Sequence, residues 1–391
     1  MNPGDQRALF EVPEGVAYLN CAYMSPQLRA VREIGEEAIG RKSRPWEIEP
    51  KHFFEDAETA RALFAELVGG EADGVAIVPS VSYGMAVAAA NLTVEEEHSI
   101  LILEDQFPSN VYQWRELAKR TGAALLSVPR PADHDWTSAV LGYLDERCGV
   151  VALPNCHWTD GSLVDLVRVG EHAREVGAAL VVDGIQSLGA HTFDVKEVRP
   201  DFLVASSYKW LLGPYGLGFL YVGEAYREGE PIEHNWITRR GSEDFSRLVD
   251  YEDAFQAGAR RFDVGERSNF VLLPMAIAAL RQILDWGVAN IAEALSVLTA
   301  RVEEEARASG MDAVSAKRRA GHMVGLELGP CAPIDLAAQL GQEDVYVSVR
   351  GRSLRVSPHL YNTESDIERL FEVLRRVIRS TRGHPGRPTV Y

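Results

Sequence analysis

The sequence predicts an α/β protein: a large domain built on a mainly parallel sheet with helices on both faces, followed by a smaller α+β domain. Two patterns carry that prediction. Short, nearly continuous apolar runs rich in Val, Leu and Ile alternate with helix-length amphipathic stretches, as buried parallel strands joined by crossover helices do. From about Pro274 the texture changes to long helical patterns with isolated short strands. A length of 391 residues, 46% of them hydrophobic and 25% charged, is enough for two such domains and argues against a disordered or low-complexity chain.

Taken in order, the expected strands are 75–78, 100–103, 124–128, 150–153, 180–182, 202–205 and 219–222. Leu166, Val169, Ala173 and Val176 recur at helical spacing and lead into the strand at Leu180. Past Pro274, helices are expected over 275–286 and 288–309, then strands near 323–328 and 346–349. In the closing helix Ile367, Leu370, Phe371, Leu374, Val377 and Ile378 share one face, with Thr363 as cap and Asp366 three positions on, a variant of the capping box. The large domain is placed at 16–260, and residues 1–15 with 261–391 form the small one. The tail 382–391, with two Pro and two Gly, reads as loose.

Charge narrows the partners. Forty Lys and Arg against 57 Asp and Glu give a formal net charge of −17, which disfavours nucleic acid or an anionic membrane and favours a small-molecule substrate. The four Cys (Cys21, Cys148, Cys156, Cys331) form no CxxC or Cys/His ligand cluster, so neither a disulfide scaffold nor a metal site is expected. Residues 1–10 hold no apolar stretch of signal-peptide length, and no run of 18 apolar residues occurs. The chain reads as cytoplasmic.

The segment with most chemistry is Val181-Val182-Asp183-Gly184-Ile185-Gln186-Ser187, followed by Ser206-Ser207-Tyr208-Lys209-Trp210. Asp183 stands where a buried strand ends, and ligands of open α/β sheets gather at the carboxyl ends of strands. Lys209 follows the next strand, so the two can reach one crevice. A desolvated Lys beside an acid suits Schiff-base chemistry, and pyridoxal phosphate needs such a pair: a Lys for its aldehyde and an Asp for its pyridine nitrogen. Spacing alone leaves open a plainer alternative, a helix-capping Asp and a surface Lys.

The segments Asp183-Gly184-Ile185-Gln186, Ser206-Ser207-Tyr208-Lys209 and Gly213-Pro214-Tyr215-Gly216 resemble the cofactor-attachment region of class V aminotransferases, the family of kynureninase, cysteine desulfurases and isopenicillin N epimerase. The resemblance runs from Tyr18-Leu19-Asn20 to Tyr346-Val347-Ser348-Val349-Arg350 and 354–362. It implies the fold type I of pyridoxal phosphate-dependent transferases. Lys209 would carry the cofactor aldehyde, Asp183 would pair with the pyridine nitrogen, and Gln186 would bond the ring hydroxyl.

Further roles follow from the same resemblance. The turn Pro79-Ser80-Val81-Ser82-Tyr83-Gly84 leads into an apolar helix expected to start near Met85, so N–H groups and hydroxyls at its N-terminus can meet a phosphate dianion. Ser80 and Ser82 are the candidates there, Ser82 bearing more of the contact or else simply capping the helix. Ser206 and Tyr208 match further phosphate contacts. Phe107, in Asp105-Gln106-Phe107-Pro108, would cover the cofactor ring, against ordinary core packing. From the loop Asn155-Cys156-His157-Trp158 the candidate is His157, for catalysis or for structure. Arg355 matches the Arg that binds the substrate carboxylate, a planar bidentate pairing. Ser268 and Asn269, in the 258–269 run, would reach the phosphate in a partner subunit, which requires a homodimer with shared active sites.

One departure narrows the reaction. Cysteine desulfurases carry a nucleophilic Cys shortly before the carboxylate-binding Arg, and 345–354 contains none; Cys331 reads as structural. The implied function is therefore an amino-acid aminotransferase or a β-lyase of the carbon–sulfur type, working through Cα deprotonation by Lys209. An epimerase of the isopenicillin N type is the next alternative. An NAD(P) oxidoreductase is weakened because Gly213, Gly216 and Gly218 precede a strand and do not open a helix. A non-catalytic sensor built on this fold does not explain why Lys, Asp and Arg are all present.

Overall fold

The computed structural model describes residues 5–329 and 332–382. In chain order the strands are β1 (Ala17–Tyr18), β2 (Val75–Val78), β3 (Ser99–Leu103), β4 (Ala124–Val128), β5 (Cys148–Pro154), β6 (Ala179–Asp183), β7 (Phe202–Ser206), β8 (Gly218–Val222), β9 (Val324–Glu327), β10 (Val345–Tyr346), β11 (Ser348–Arg350) and β12 (Ser353–Val356). Seven of them form one sheet in the order β2-β8-β7-β6-β5-β3-β4. Within it β8 is antiparallel to both neighbours, and the other neighbouring pairs are parallel.

The apolar runs form strands because both of their faces are covered. On one face Val75, Ile77, Leu101, Leu103, Leu180, Val182 and Leu203 join a core with helices Glu55–Leu67, Leu166–Val176 and Leu272–Trp286. On the other face their neighbours Ala76, Val78, Ile100, Ile102, Val181 and Val204 pack against helices Val81–Asn91 and Tyr112–Thr121. Successive side chains of a strand point to opposite faces, so a strand buried on both sides reads as a continuous apolar run. The exception is β4, one of the two edge strands, where Ala124 and Ser127 are exposed.

The C-terminal unit is a three-stranded antiparallel sheet, β11-β12-β9, with the pair β1-β10 beside it. Its core joins Leu326, Leu354 and Val356 to Val302 of helix Val288–Ala308 and to Ile367, Leu370, Phe371 and Leu374 of helix Glu364–Arg382. Packing divides the chain differently from the expected boundaries at 16 and 261. Strand β1 pairs in parallel with β10, so Ala17 and Leu19 belong to this core, whereas helix Leu272–Trp286 packs on the large sheet's core.

Local details also differ from expectation. The strand expected across 346–349 breaks at Val347 into β10 and β11, which pair with different partners. The Asp366 carboxylate does reach back to the Thr363 N–H (3.1 Å), but the Thr363 hydroxyl engages Ser365 (2.7 Å), leaving the capping box half made. The expected loose tail lies outside the described residues beyond Arg382, as does Cys331. Cys21, Cys148 and Cys156 are buried free thiols. Among the described residues no single helix is long and apolar enough to cross a membrane, and no cluster of His, Cys, Asp or Glu is placed to hold a metal ion.

Candidate active site

Asp183 is the last residue of β6 and pairs with Val204 of β7, while Lys209 follows the end of β7. The chain between β7 and β8 is held as a tight loop. Ser207 donates its hydroxyl to the carbonyls of Pro214 (2.5 Å) and Leu217 (2.9 Å), and the Gly213 N–H returns to Ser207 O (2.8 Å). Trp210, the residue after the lysine, is fully buried and anchors the loop. The loop thus fixes the Lys209 backbone beside the carboxyl ends of β6 and β7, where Asp183 and Lys209 are both buried and line one crevice.

Burial works on the two charges in opposite directions. It raises the Asp183 carboxyl above the ordinary range, against the Ile185 N–H (3.1 Å) and the nearby Lys209 cation. It lowers the Lys209 ammonium, an effect reinforced by Arg355 and Arg350 and opposed by Asp183. The result is an amine much closer to neutrality at pH 7 than a surface lysine, which a nucleophile or base requires.

Around Lys209 lies a crevice of about 360 Å³, lined among others by Tyr23, Phe107, Trp158, Gln186, Tyr208 and Arg355. The Lys209 Nζ is 5.5 Å from the Phe107 ring centre and 5.6 Å from that of Tyr208. Phe107 meets Trp158 edge to face at 5.4 Å. Gln186 is oriented from both ends: its Nε2 donates to Ala22 O (3.1 Å), and its Oε1 accepts from the Trp210 indole (3.0 Å). One amide hydrogen therefore remains free for a ligand hydroxyl.

Arg355, on β12, is 1% exposed and donates one Nη1 bond to Trp158 O (2.7 Å). Its Nε and its other terminal nitrogen, Nη2, have no partner. A buried guanidinium with unmet donors is costly unless an anion arrives. Burial, seconded by Arg350, lowers its pKa to about 9.

The turn after β2 differs in detail from the expected arrangement. The helix begins at Val81, and Ser80 is its cap, accepting the Tyr83 N–H at 3.2 Å. Ser82 does not cap; its hydroxyl lies 2.9 Å from that of Ser80. A Cβ on Gly84 would fall 2.7 Å from Val204, so glycine lets the helix N-terminus rest on β7, two residues before Ser206. Two serine hydroxyls, free first-turn N–H groups and buried Ser206 are thereby assigned to one end of the sheet.

Three expected residues stand elsewhere. His157 is excluded from solvent, stacked on Trp136 (5.3 Å), with Nδ1 2.8 Å from Thr159 Oγ1 and Nε2 3.2 Å from Glu104 O. Burial lowers its pKa to about 4, so the ring is neutral. Of the two roles expected for His157, catalysis or structure, this packing favours the structural one: Cys156 and Trp158 line the crevice, and the residue between them does not. Ser268 donates to Phe53 O, and Asn269 accepts the N–H groups of Val271 and Leu272 at the start of a helix; neither lines the crevice.

Comparison with known proteins agrees with this geometry. The family model described as aminotransferase class-V matches residues 39–370. The chain belongs to that family. Among curated relatives, an uncharacterized aminotransferase of Bacillus subtilis, YcbU, is 28% identical over 88% of this chain and 89% of its own length. Among solved structures, a cysteine desulfurase from Thermococcus onnurineus NA1 superposes with a TM-score of 0.82 at 20% identity, covering 96% of this chain and 97% of that one. The cystine C-S lyase C-DES, in complex with its product cysteine persulfide, superposes with a TM-score of 0.84 at 17% identity over 93% and 98%.

Class V aminotransferases are pyridoxal phosphate enzymes, transferases or lyases, and the residues of this member fit that cofactor. The fit rests on the donor set: a buried lysine held near neutrality, a buried carboxylate with spare acceptor capacity lining the same crevice, and an aromatic ring beside the lysine. Side chains to which the sequence assigned no role, among them Tyr23, Trp158, Tyr215 and Arg350, reach this class V site from four distant segments.

Proposed function

We propose that this chain acts on an α-amino acid by removing its Cα proton, as an aminotransferase or a carbon–sulfur β-lyase. The observation that carries the reading is the convergence of Lys209 and Arg355 on one crevice, the arginine with two buried, unpartnered nitrogens. Arg355 binds the α-carboxylate through those donors, which aligns the Cα–H bond. Lys209, with its ammonium destabilised by burial and by two arginines, takes the Cα proton onto Nζ. Asp183 holds a proton at the pyridine nitrogen, Gln186 orients the ring hydroxyl, and Phe107 covers the ring. Ser80, Ser82, Ser206 and Tyr208 are assigned to the phosphate. When bound, pyridoxal phosphate supplies the electron sink that makes the Cα–H bond acidic.

Persulfide chemistry is disfavoured because no Cys stands in 345–354, and burial pushes the thiols beside the site, Cys21 and Cys156, well above their usual range. The same reading takes the enzyme as a cytoplasmic homodimer with no nucleic-acid partner. In support, the net charge is −17, and Ser268 and Asn269 do not line their own crevice.

The test is a screen of amino acids against the cofactor-loaded enzyme, with products identified by mass spectrometry. The oxo acid of the intact substrate, without ammonia, identifies an aminotransferase, and pyruvate with ammonia and the expelled thiol or sulfide identifies a β-lyase. Formation of the inverted amino acid alone, or no product from any amino acid, overturns the reading.

A further inference from the structure

Arg350 and Arg355 occupy neighbouring strands of one hairpin. Ser348 pairs with Arg355, and Arg350 with Ser353, so Arg350, two residues from Ser348, shares the face of β11 that meets Arg355 diagonally. Such diagonal neighbours are about 7–8 Å apart, within the combined reach of two long side chains. The connection is a two-residue loop, Gly351–Arg352, with Gly351 at φ +58°, a tight turn that keeps the two strands in this register. Both guanidinium groups line the Lys209 crevice.

Arg350 also lines an adjoining groove of about 740 Å³ together with Arg130 and Arg352. Arg130 is bound to Asp160 (2.5 Å), and Arg352 to Glu327 (2.9 Å). Among the described residues Arg350 has no carboxylate partner; its Nη1 donates to Val349 O (2.9 Å), and its guanidinium sits 5.8 Å from the Trp158 ring centre. The groove's acids are the opposing consideration. Asp160 and Glu327 are neutralised by those same arginines, and Asp105 and Asp312 are exposed to water. Arg350 is half-buried and stands close enough to the reacting centre to lower the basicity of both Lys209 and Arg355.

We propose that Arg350 is a specificity-determining residue that binds a second acidic group, carried on the substrate's side chain, so that the enzyme prefers dicarboxylic amino acids. The inference deepens the reading of Lys209 and Arg355 given above and rests on it. Arg355 takes the α-carboxylate, and Arg350, displaced along the hairpin towards the larger groove, takes the distal one by a forked, charge-assisted contact. A neutral side chain leaves Arg350 without a counter-ion.

The test uses matched pairs, L-aspartate with L-asparagine and L-glutamate with L-glutamine, on the cofactor-loaded enzyme. At least one acid is expected to exceed its amide in kcat/KM by about tenfold or more. Arg350→Gln should reduce that acid-to-amide ratio at least about tenfold, and Arg350→Lys should give an intermediate ratio, since charge is kept and the fork is lost. No acid preference in the wild type overturns the proposal. So does a ratio unchanged in Arg350→Gln, which would make Arg350 a second clamp on the α-carboxylate. A parallel measurement follows binding of glutarate and butyrate through the visible spectrum of the bound cofactor. If no amino acid reacts, the proposed function fails, yet tighter binding of glutarate that is abolished in Arg350→Gln still supports the subsite. Equal binding of the two acids overturns it.

Discussion

Trp210 donates its indole N–H to Gln186 Oε1 across 3.0 Å, tying the residue after Lys209 to the turn that follows Asp183. The lysine and the carboxylate thus come from adjacent strands whose ends are bolted together behind the crevice. The Lys209 backbone is set by this contact and by the Ser207 bonds, leaving the side chain to move.

Lys209→Ala should abolish covalent attachment of the cofactor while the fold survives, since the backbone of the loop is held by its neighbours. Borohydride treatment followed by peptide mapping is expected to label the Lys209 peptide in the wild type and no lysine in the variant. Labelling of another lysine, with the visible band intact, would show that the attachment site lies elsewhere.

Asp183→Asn should retain the cofactor and lose turnover. An amide cannot keep the pyridine nitrogen protonated, and a loss of several kcal/mol is expected, about tenfold in rate for each 1.36 kcal/mol. Single-turnover rates within about threefold of the wild type would remove Asp183 from its assigned role.

On the proposed role of Arg355, Arg355→Lys should raise KM and lower kcat together, because a point charge replaces a fork with two unpartnered nitrogens. Amines without a carboxylate should be poor substrates and nearly indifferent to the change. Equal losses on amines and amino acids would mean that Arg355 supports the fold.

A stability prediction concerns His359, which is buried among Phe10, Trp210, Trp286 and Tyr361 with both ring nitrogens unpartnered. Burial lowers its pKa to about 3, whereas the unfolded imidazole protonates near pH 6.5. The folded state therefore keeps its full stability above about pH 6.5 and loses it progressively as pH falls towards 3. His359→Phe should raise the urea midpoint at pH 7, worth about 1–3 kcal/mol from removal of an unsatisfied buried group. It should also flatten the acid slope by about one proton, with His157, His191, His322 and the paired carboxylates Glu58 and Asp160 among the other contributors. A lower midpoint at pH 7 would mean that the ring nitrogens are satisfied.

The parts of the site that were legible in the sequence are those fixed by strand ends. Asp183 and Lys209 follow apolar runs that could only be buried strands, and a charge at the end of such a run is conspicuous. The loop after β5 was not legible, because the backbone from Asn155 to Gly161 is irregular and a shift of one residue exchanges His157 for Cys156 or Trp158. Ser80 and Ser82 were both marked, but which of them caps depends on where the first helical turn begins. Arg350 carried no signal of its own: one Arg beside a Gly resembles any hairpin tip until the register with Arg355 is known. Tyr23 was hidden for a different reason, since it reaches the crevice on a segment that Ser25 pins to the carbonyl of Tyr208 by two bonds, a contact 183 residues apart in sequence.

The pairing of β1 with β10 has a consequence for synthesis. All seven strands of the large sheet lie between Val75 and Val222, so the scaffold of Lys209 and Asp183 can assemble while later residues are still on the ribosome. The β1 segment emerges first yet gains its sheet partner only with Val345, and β12 bearing Arg355 comes later still. The strands that present Lys209 and Asp183 are therefore complete before the strand that presents Arg355 is made, and the C-terminal unit that carries the arginine joins one of the earliest segments of the chain to some of the last.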